Sequence, residues 1–163
     1  MATNYVLRSE EDRQDLASEL NSFLASNYLA GPGFEYLEEK LDGAGFRGRT
    51  LTSEDAEKLL QIGVTMVPCD WGYCMYRSEL SACEGTTSTP NILKRSPEVC
   101  VGCKNFAINE TSIDWWLSRE AKYVSFMKLK NIEWQGKLIA KRRLESCRKA
   151  LDMGKIKRLP DEK

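Results

Sequence analysis

The chain has 163 residues, of which 42% are hydrophobic, 9% aromatic and 29% charged, the balance of one foldable globular unit rather than a disordered tail or a multidomain assembly. It holds no histidine, which excludes Ser-His and Cys-His nucleophile pairs, His-based metalloprotease centres and recombinase sites that use His as acid or base. The formal net charge of zero is made of an acidic head, with 6 basic and 12 acidic residues in 1–68, a near-neutral middle, with 4 and 5 in 69–110, and a basic tail, with 14 and 7 in 111–163. Such polarity is a signal for a partner of opposite sign at one end, with nucleic acid at the basic end and a protein docked on the acidic helices.

In chain order, Ser9 and Asp12 resemble a capping box, and Leu16, Leu20, Phe23 and Leu24 then recur at helical spacing until Gly31-Pro32-Gly33, read as a breaker. A second, shorter helix is expected over 34–41, with Phe34, Leu37 and Leu41 on one side and the Gly43-Ala44-Gly45 stretch ending it. A third begins near Thr52 or Ser53, where Asp55 and Glu57 suit its positive N-terminus, and stops at Gly63. Val64 to Val67 is a β-prone run closed by Pro68. From Cys69 to Asn109 the periodicity fades and Gly, Pro, Ser and Thr accumulate, so the segment reads as irregular and in need of a clamp such as a metal. Thr111 or Ser112 is the expected N-cap of a helix with Trp116, Glu120, Tyr123, Val124 and Met127 on one face. After a break at Lys130-Asn131 a second stripe follows, Trp134, Leu138, Leu144, Cys147 and Leu151, ending at Gly154.

The expected architecture is mainly α: an acidic helical part over 1–63, an irregular four-cysteine metal-binding segment over 64–110, a helical hairpin over 111–154 and a basic flexible tail over 155–163. The longest apolar runs fall short of the ~18 residues of a membrane span, and the first residues lack the order of a secretory signal, so a cytoplasmic protein without a membrane partner is expected.

Five of the six cysteines lie between positions 69 and 103. In a reducing compartment such clustering points to metal more than to disulfides. Cys100-Val101-Gly102-Cys103 is a C-x2-C step, which lets two thiolates from one turn reach one ion, with Gly102 relieving the bend. Cys74 and Cys83 complete a C-x8-C-x16-C-x2-C set, with Cys69 a substitute for one of them. Four thiolates suit Zn2+ and equally an iron-sulfur cluster, and spacing leaves the two open. Four protein ligands leave no vacancy for an activated water, so the centre is expected to be structural and the chain non-enzymatic. Cys69 and Cys147 are otherwise read as small buried apolar residues.

Gly72-Tyr73-Cys74, then Cys83, then the run from Pro97 to Phe106, followed by Asp114-Trp115-Trp116, resembles the cysteine-rich C-terminal extension of mobile-element tyrosine recombinases, the phage-type integrases. The resemblance covers about residues 60–153, and those proteins follow the cysteines with a charged helical hairpin. They place this segment after a catalytic domain of roughly 170 residues with paired arginines, a histidine and a nucleophilic tyrosine, for which this chain has neither the histidine nor the length. No catalytic residue carries over, Tyr73, Tyr76 and Tyr123 included. The resemblance implies a small metal-containing module that binds DNA or a DNA-bound recombinase-like protein. The candidate DNA-facing cations are Lys137, Lys141, Arg142, Arg148, Lys149, Lys155, Lys157 and Arg158.

Overall fold

A computed structural model describes residues 9–26, 29–46 and 50–156, with side chains to Met153. The described residues are mainly helical, with a four-stranded antiparallel sheet between two helical layers. The first helix, α1 (Glu10–Leu24), starts with the expected capping box: Asp12 N–H donates to the Ser9 hydroxyl and Ser9 N–H to the Asp12 carboxylate. It buries Leu16, Ala17, Leu20 and Phe23. The strand β1 (Leu29–Ala30) follows, and then α2 (Pro32–Ala44). The triplet expected to break structure is therefore the start of a helix: Pro32 occupies its first turn, where its missing N–H costs nothing. Gly33 is required there, since a Cβ would stand 2.9 Å from the Asn105 carbonyl carbon. The third helix, α3 (Ser53–Gln61), is capped by Thr52 with Asp55 reciprocating. Asn21 fixes its approach to α1, donating to Leu51 O at 2.9 Å and accepting from Leu51 N–H at 2.8 Å.

The β-prone run extends into β2 (Met66–Cys69), which turns through Asp70 and Trp71 into β3 (Gly72–Met75). β4 (Phe106–Asn109) pairs with β3 on one side and β1 on the other, giving the order β1-β4-β3-β2. The middle third is thus less irregular than its composition implies. It supplies two complete strands, the end of a third, and a short helix α4 (Pro97–Val101). All four residues of β4 are buried, because helices cover both faces of the sheet. Ala107 packs with α1, α2 and α3 in a core that includes Leu20, Phe23, Leu37, Leu59, Leu60 and Met75. Phe106 and Ile108 point to the other layer, with Trp116, Cys147, Ala150 and Leu151.

That second layer is α5 (Glu110–Met127) and α6 (Trp134–Ile156), packed as the expected hairpin. The N-cap is Asn109 rather than Thr111 or Ser112: its side-chain oxygen accepts from Ser112 N–H at 3.3 Å, while the Ser112 hydroxyl takes Asn109 N–H. α6 runs past Gly154 to Ile156. Its stripe also divides. Leu144, Cys147 and Leu151 are buried with Ala140 and Ala150, whereas Trp134 is 69% exposed and Leu138 40%. At about 100° per residue the six-residue step from Leu138 to Leu144 turns about 120° away, so the two groups lie on different faces. On α5 only Trp116 of the expected face is fully buried, and Tyr123, Val124 and Met127 are at best half-buried. No helix among the described residues is long and apolar enough to cross a membrane. Of the expected tail, residues 157–163 lie outside the described residues.

Candidate metal centre and basic helix face

Cys69 closes β2 and Cys74 lies within β3, so the tight hairpin brings both to the same end of the sheet. Gly72 permits the crowding there, since a Cβ would stand 2.7 Å from both the Ala107 carbonyl oxygen and the Phe106 ring. Cys83 is held in a turn after the 3-10 segment Ser78–Leu80: Gly85 N–H donates to the Ser81 hydroxyl at 3.0 Å, and that hydroxyl lies 3.2 Å from the Cys83 sulfur. Asn91 N–H, eight residues on, donates to the same sulfur at 3.3 Å. Cys100 sits in α4, where the Ser96 hydroxyl accepts Val99 N–H, and Cys103 follows the Gly102 cap with its N–H on Cys100 O at 2.9 Å.

All five cysteines from 69 to 103 line one cavity of about 20 Å³, walled by Tyr73, Tyr76, Val99 and Phe106. Four separate chain segments therefore converge on one small space. All six cysteines are free thiols. Cys74, Cys83, Cys100 and Cys103, the four expected ligands, line this cavity, and Cys69 lines it with them. Cys147 lies apart, fully buried in the layer of Trp116 and Ile108, as its position in the apolar stripe implied. Among the described residues no group of three or more Cys, Asp or Glu side chains is placed so that it could hold a metal ion as it stands.

Three of the thiols at the cavity, Cys69, Cys74 and Cys100, are held protonated by their surroundings. Burial, and then the proximity of Cys103, Cys100, Cys83 and Cys69, push Cys74 up to about 12. Burial and then Cys100 push Cys69 up to about 11, against the pull of Arg95. Burial raises Cys100 too, opposed by the Trp71 indole N–H and by Arg95. Burial likewise takes Cys147 up to about 11. Mutual repulsion among thiolates is what a bound divalent cation reverses, since a coordinated thiol is deprotonated outright.

Two donors near the cysteines, on residues whose guanidinium and ring lie 5.8 Å apart, lack hydrogen-bond partners. Arg95 lines the cavity, and its buried Nη1 has no hydrogen-bond acceptor; the Trp71 indole N–H is also buried without an oxygen or nitrogen acceptor, and Cys100 is the sulfur it favours as thiolate. The frame around the site is better satisfied. Arg77 donates to the Asn105 side chain at 3.2 Å and to Lys104 O at 2.8 Å, while Asn105, 1% exposed, donates back to Arg77 O. Glu98 on α4 accepts from Arg119 on α5 at 2.8 Å, fastening the Cys100 turn to the hairpin. Trp116 Nε1 donates to Trp71 O at 2.8 Å, and Trp71, Trp115 and Trp116 form a chain of tilted and edge-on rings behind Cys100. The sequence reading missed Arg95, Trp71, Asn105 and Arg119. The one available signal was their setting: Trp71 in the turn between two cysteines, Arg95 five residues before Cys100, and Asn105 two after Cys103.

Of the candidate DNA-facing cations, Lys137, Lys141, Arg142, Arg148 and Lys149 are exposed on α6. Lys149 Nζ lies close to Gly102, 4.0 Å from where its Cβ would be, so the basic face adjoins the cysteine turn. Arg148 approaches Glu120 at 3.7 Å. Lys155 belongs to α6 with its side chain outside the described residues, and Lys157 and Arg158 lie outside them altogether. At the opposite end, the acidic helices α1 and α3 flank an open groove with Glu10, Glu54 and Glu57 on its walls, bridged by Arg13, which pairs with Glu10 at 2.7 Å and Glu57 at 3.1 Å. No family model, curated protein or solved structure matches the chain.

Proposed function

We propose that the chain is a non-enzymatic, zinc-stabilised module that binds duplex DNA through the outer face of α6, in the manner of the cysteine-rich recombinase extension it resembles. The observation that carries this reading is the meeting of five free cysteines from four chain segments on one small cavity. The donor set is all sulfur, the softness that selects zinc among the common cellular divalent ions. Zinc would order residues 76–105, which have few buried apolar side chains of their own.

The nucleic-acid half of the reading rests on the charge of α6 and its position against the cysteine turn. Neutralising phosphates releases counterions, so five contacts imply a slope near about −4.5 in log K against log salt, a loss of roughly a few hundredfold between about 50 and 200 mM. Two measurements test the whole. Elemental analysis of anaerobically purified protein should find one zinc, no iron and no visible colour. A duplex titration should bind at about 50 mM salt with that steep dependence. Brown protein containing iron would transfer the site to an iron-sulfur protein of redox or regulatory role. Zinc without DNA affinity would leave a protein adaptor docking through the acidic helices.

A further inference from the structure

We propose that the ion is held by Cys74, Cys83, Cys100 and Cys103 as a net anionic centre, that Cys69 stays outside the ligand set, and that Arg95 and Trp71 are its outer-sphere donors. The proposal deepens the metal reading above and rests on it.

The unpartnered groups carry it. A buried polar donor left without an acceptor is disfavoured, the more so when charged, and here two such donors occur at the cysteines: Arg95, whose Nη1 lacks an acceptor, lines the cavity, and Trp71, whose Nε1 lacks one, packs against the layer that holds Cys100. Neutral thiols are weak acceptors; thiolates are strong ones. No Asp or Glu lines the cavity, so sulfur is the only source of negative charge there. With a divalent ion, two thiolates give a neutral centre and leave the arginine unbalanced, whereas three or four give a net negative centre that accepts from both donors.

Two contacts place Cys69 outside. Its S–H is already engaged, donating to Gly72 O at 3.2 Å, while Cys83 receives an N–H from Asn91. The Cys103 S–H donates to Leu80 O at 3.5 Å, the longer of the two thiol contacts. Donors to the outer sphere typically change metal affinity about 10–100-fold when removed.

The test uses the full chain, prepared anaerobically and loaded with Zn2+ or Co2+, with zinc affinity read by competition against a chromophoric chelator and the ligand set read from the cobalt spectrum. Cys69→Ser should keep the wild-type cobalt bands and zinc affinity. Arg95→Met should weaken zinc about 10–100-fold with the four-thiolate spectrum retained, and Arg95→Lys should recover much of the loss. Trp71→Phe keeps the ring and removes only the N–H; a shifted sulfur-to-cobalt band in that variant carries the test if Arg95→Met does not fold. Loss of one thiolate's absorption in Cys69→Ser, or Arg95→Met and Trp71→Phe that both match wild type, would overturn the proposal while leaving a metal protein. Wild-type protein that takes up neither ion would instead overturn the metal reading beneath it.

Discussion

The two faces of the sheet are stabilised by different means. Against one face, α1, α2 and α3 press Leu20, Phe23, Leu37, Leu59 and Leu60 into a continuous aliphatic and aromatic core with Val64, Met66 and Met75. Against the other, the buried set is smaller and includes two cysteines, with Trp116 and Phe106 its bulkiest members. Between that layer and the sheet edge lies the stretch from Tyr76 to Asn105, whose side chains hold it by polar locks, Arg77 with Asn105 and Glu98 with Arg119, more than by burial. Ile92 and Leu93 in this stretch are 77% and 96% exposed. The N-terminal layer has the burial that ordinarily sustains a fold; the cysteine segment has less of it, and in the function proposed above a bound ion would supply the rest.

The difference can be broken most severely at the sulfurs. Cys74→Ser or Cys100→Ser should abolish stable zinc binding, forfeiting a free energy on the order of 10 kcal/mol, and leave residues 76–105 open to limited proteolysis. Next, Phe23→Ala and Trp116→Ala each empty a fully buried ring position and should cost about 3–5 kcal/mol in denaturant unfolding. Only Trp116→Ala should also lower zinc affinity, since its indole supports the Trp71 carbonyl beside the site. Arg119→Met should cost about 1–3 kcal/mol by leaving Glu98 half-buried and unpaired; metal competition should show weaker binding with the same ligand set. Thr52→Ala, removing an N-cap far from the cysteines, should cost about 1 kcal/mol with metal affinity untouched. Smallest is Trp134→Ala, 69% exposed, which should shift stability by no more than about 0.5 kcal/mol.

What could be read in advance follows the same division. The N-terminal helices were legible because their signals are local: Ser9 with Asp12 and Thr52 with Asp55 announce helix starts, and Leu16, Leu20 and Phe23 repeat at the helical period. Gly31-Pro32-Gly33 misled because glycine and proline punctuate helix starts as well as ends, and only contact with the β4 backbone tells which applies. The strands of the middle third were missed for a tertiary reason. β4, buried on both faces, lacks the alternation that marks a half-buried strand, and its pairing with β3 spans more than thirty residues. The exposed Trp134 and Leu138 show that counting apolar residues along a helix without following their angle joins two faces into one. That the cysteines from 69 to 103 gather was suggested by their clustering in the sequence, and all five line one cavity. Arg95 and Trp71 were not picked out, because they lie at opposite ends of the segment and only the fold brings both near Cys100.

Amide hydrogen exchange of the zinc-loaded chain, before and after a strong chelator under anaerobic reducing conditions, tests the dependence of the cysteine segment on its sulfurs most directly. Removing the ion should release protection across residues 76–105 by orders of magnitude while the amides of α1, α2 and α3 keep most of theirs. Unchanged protection in that segment after complete zinc removal, or equal loss in both layers, would contradict it.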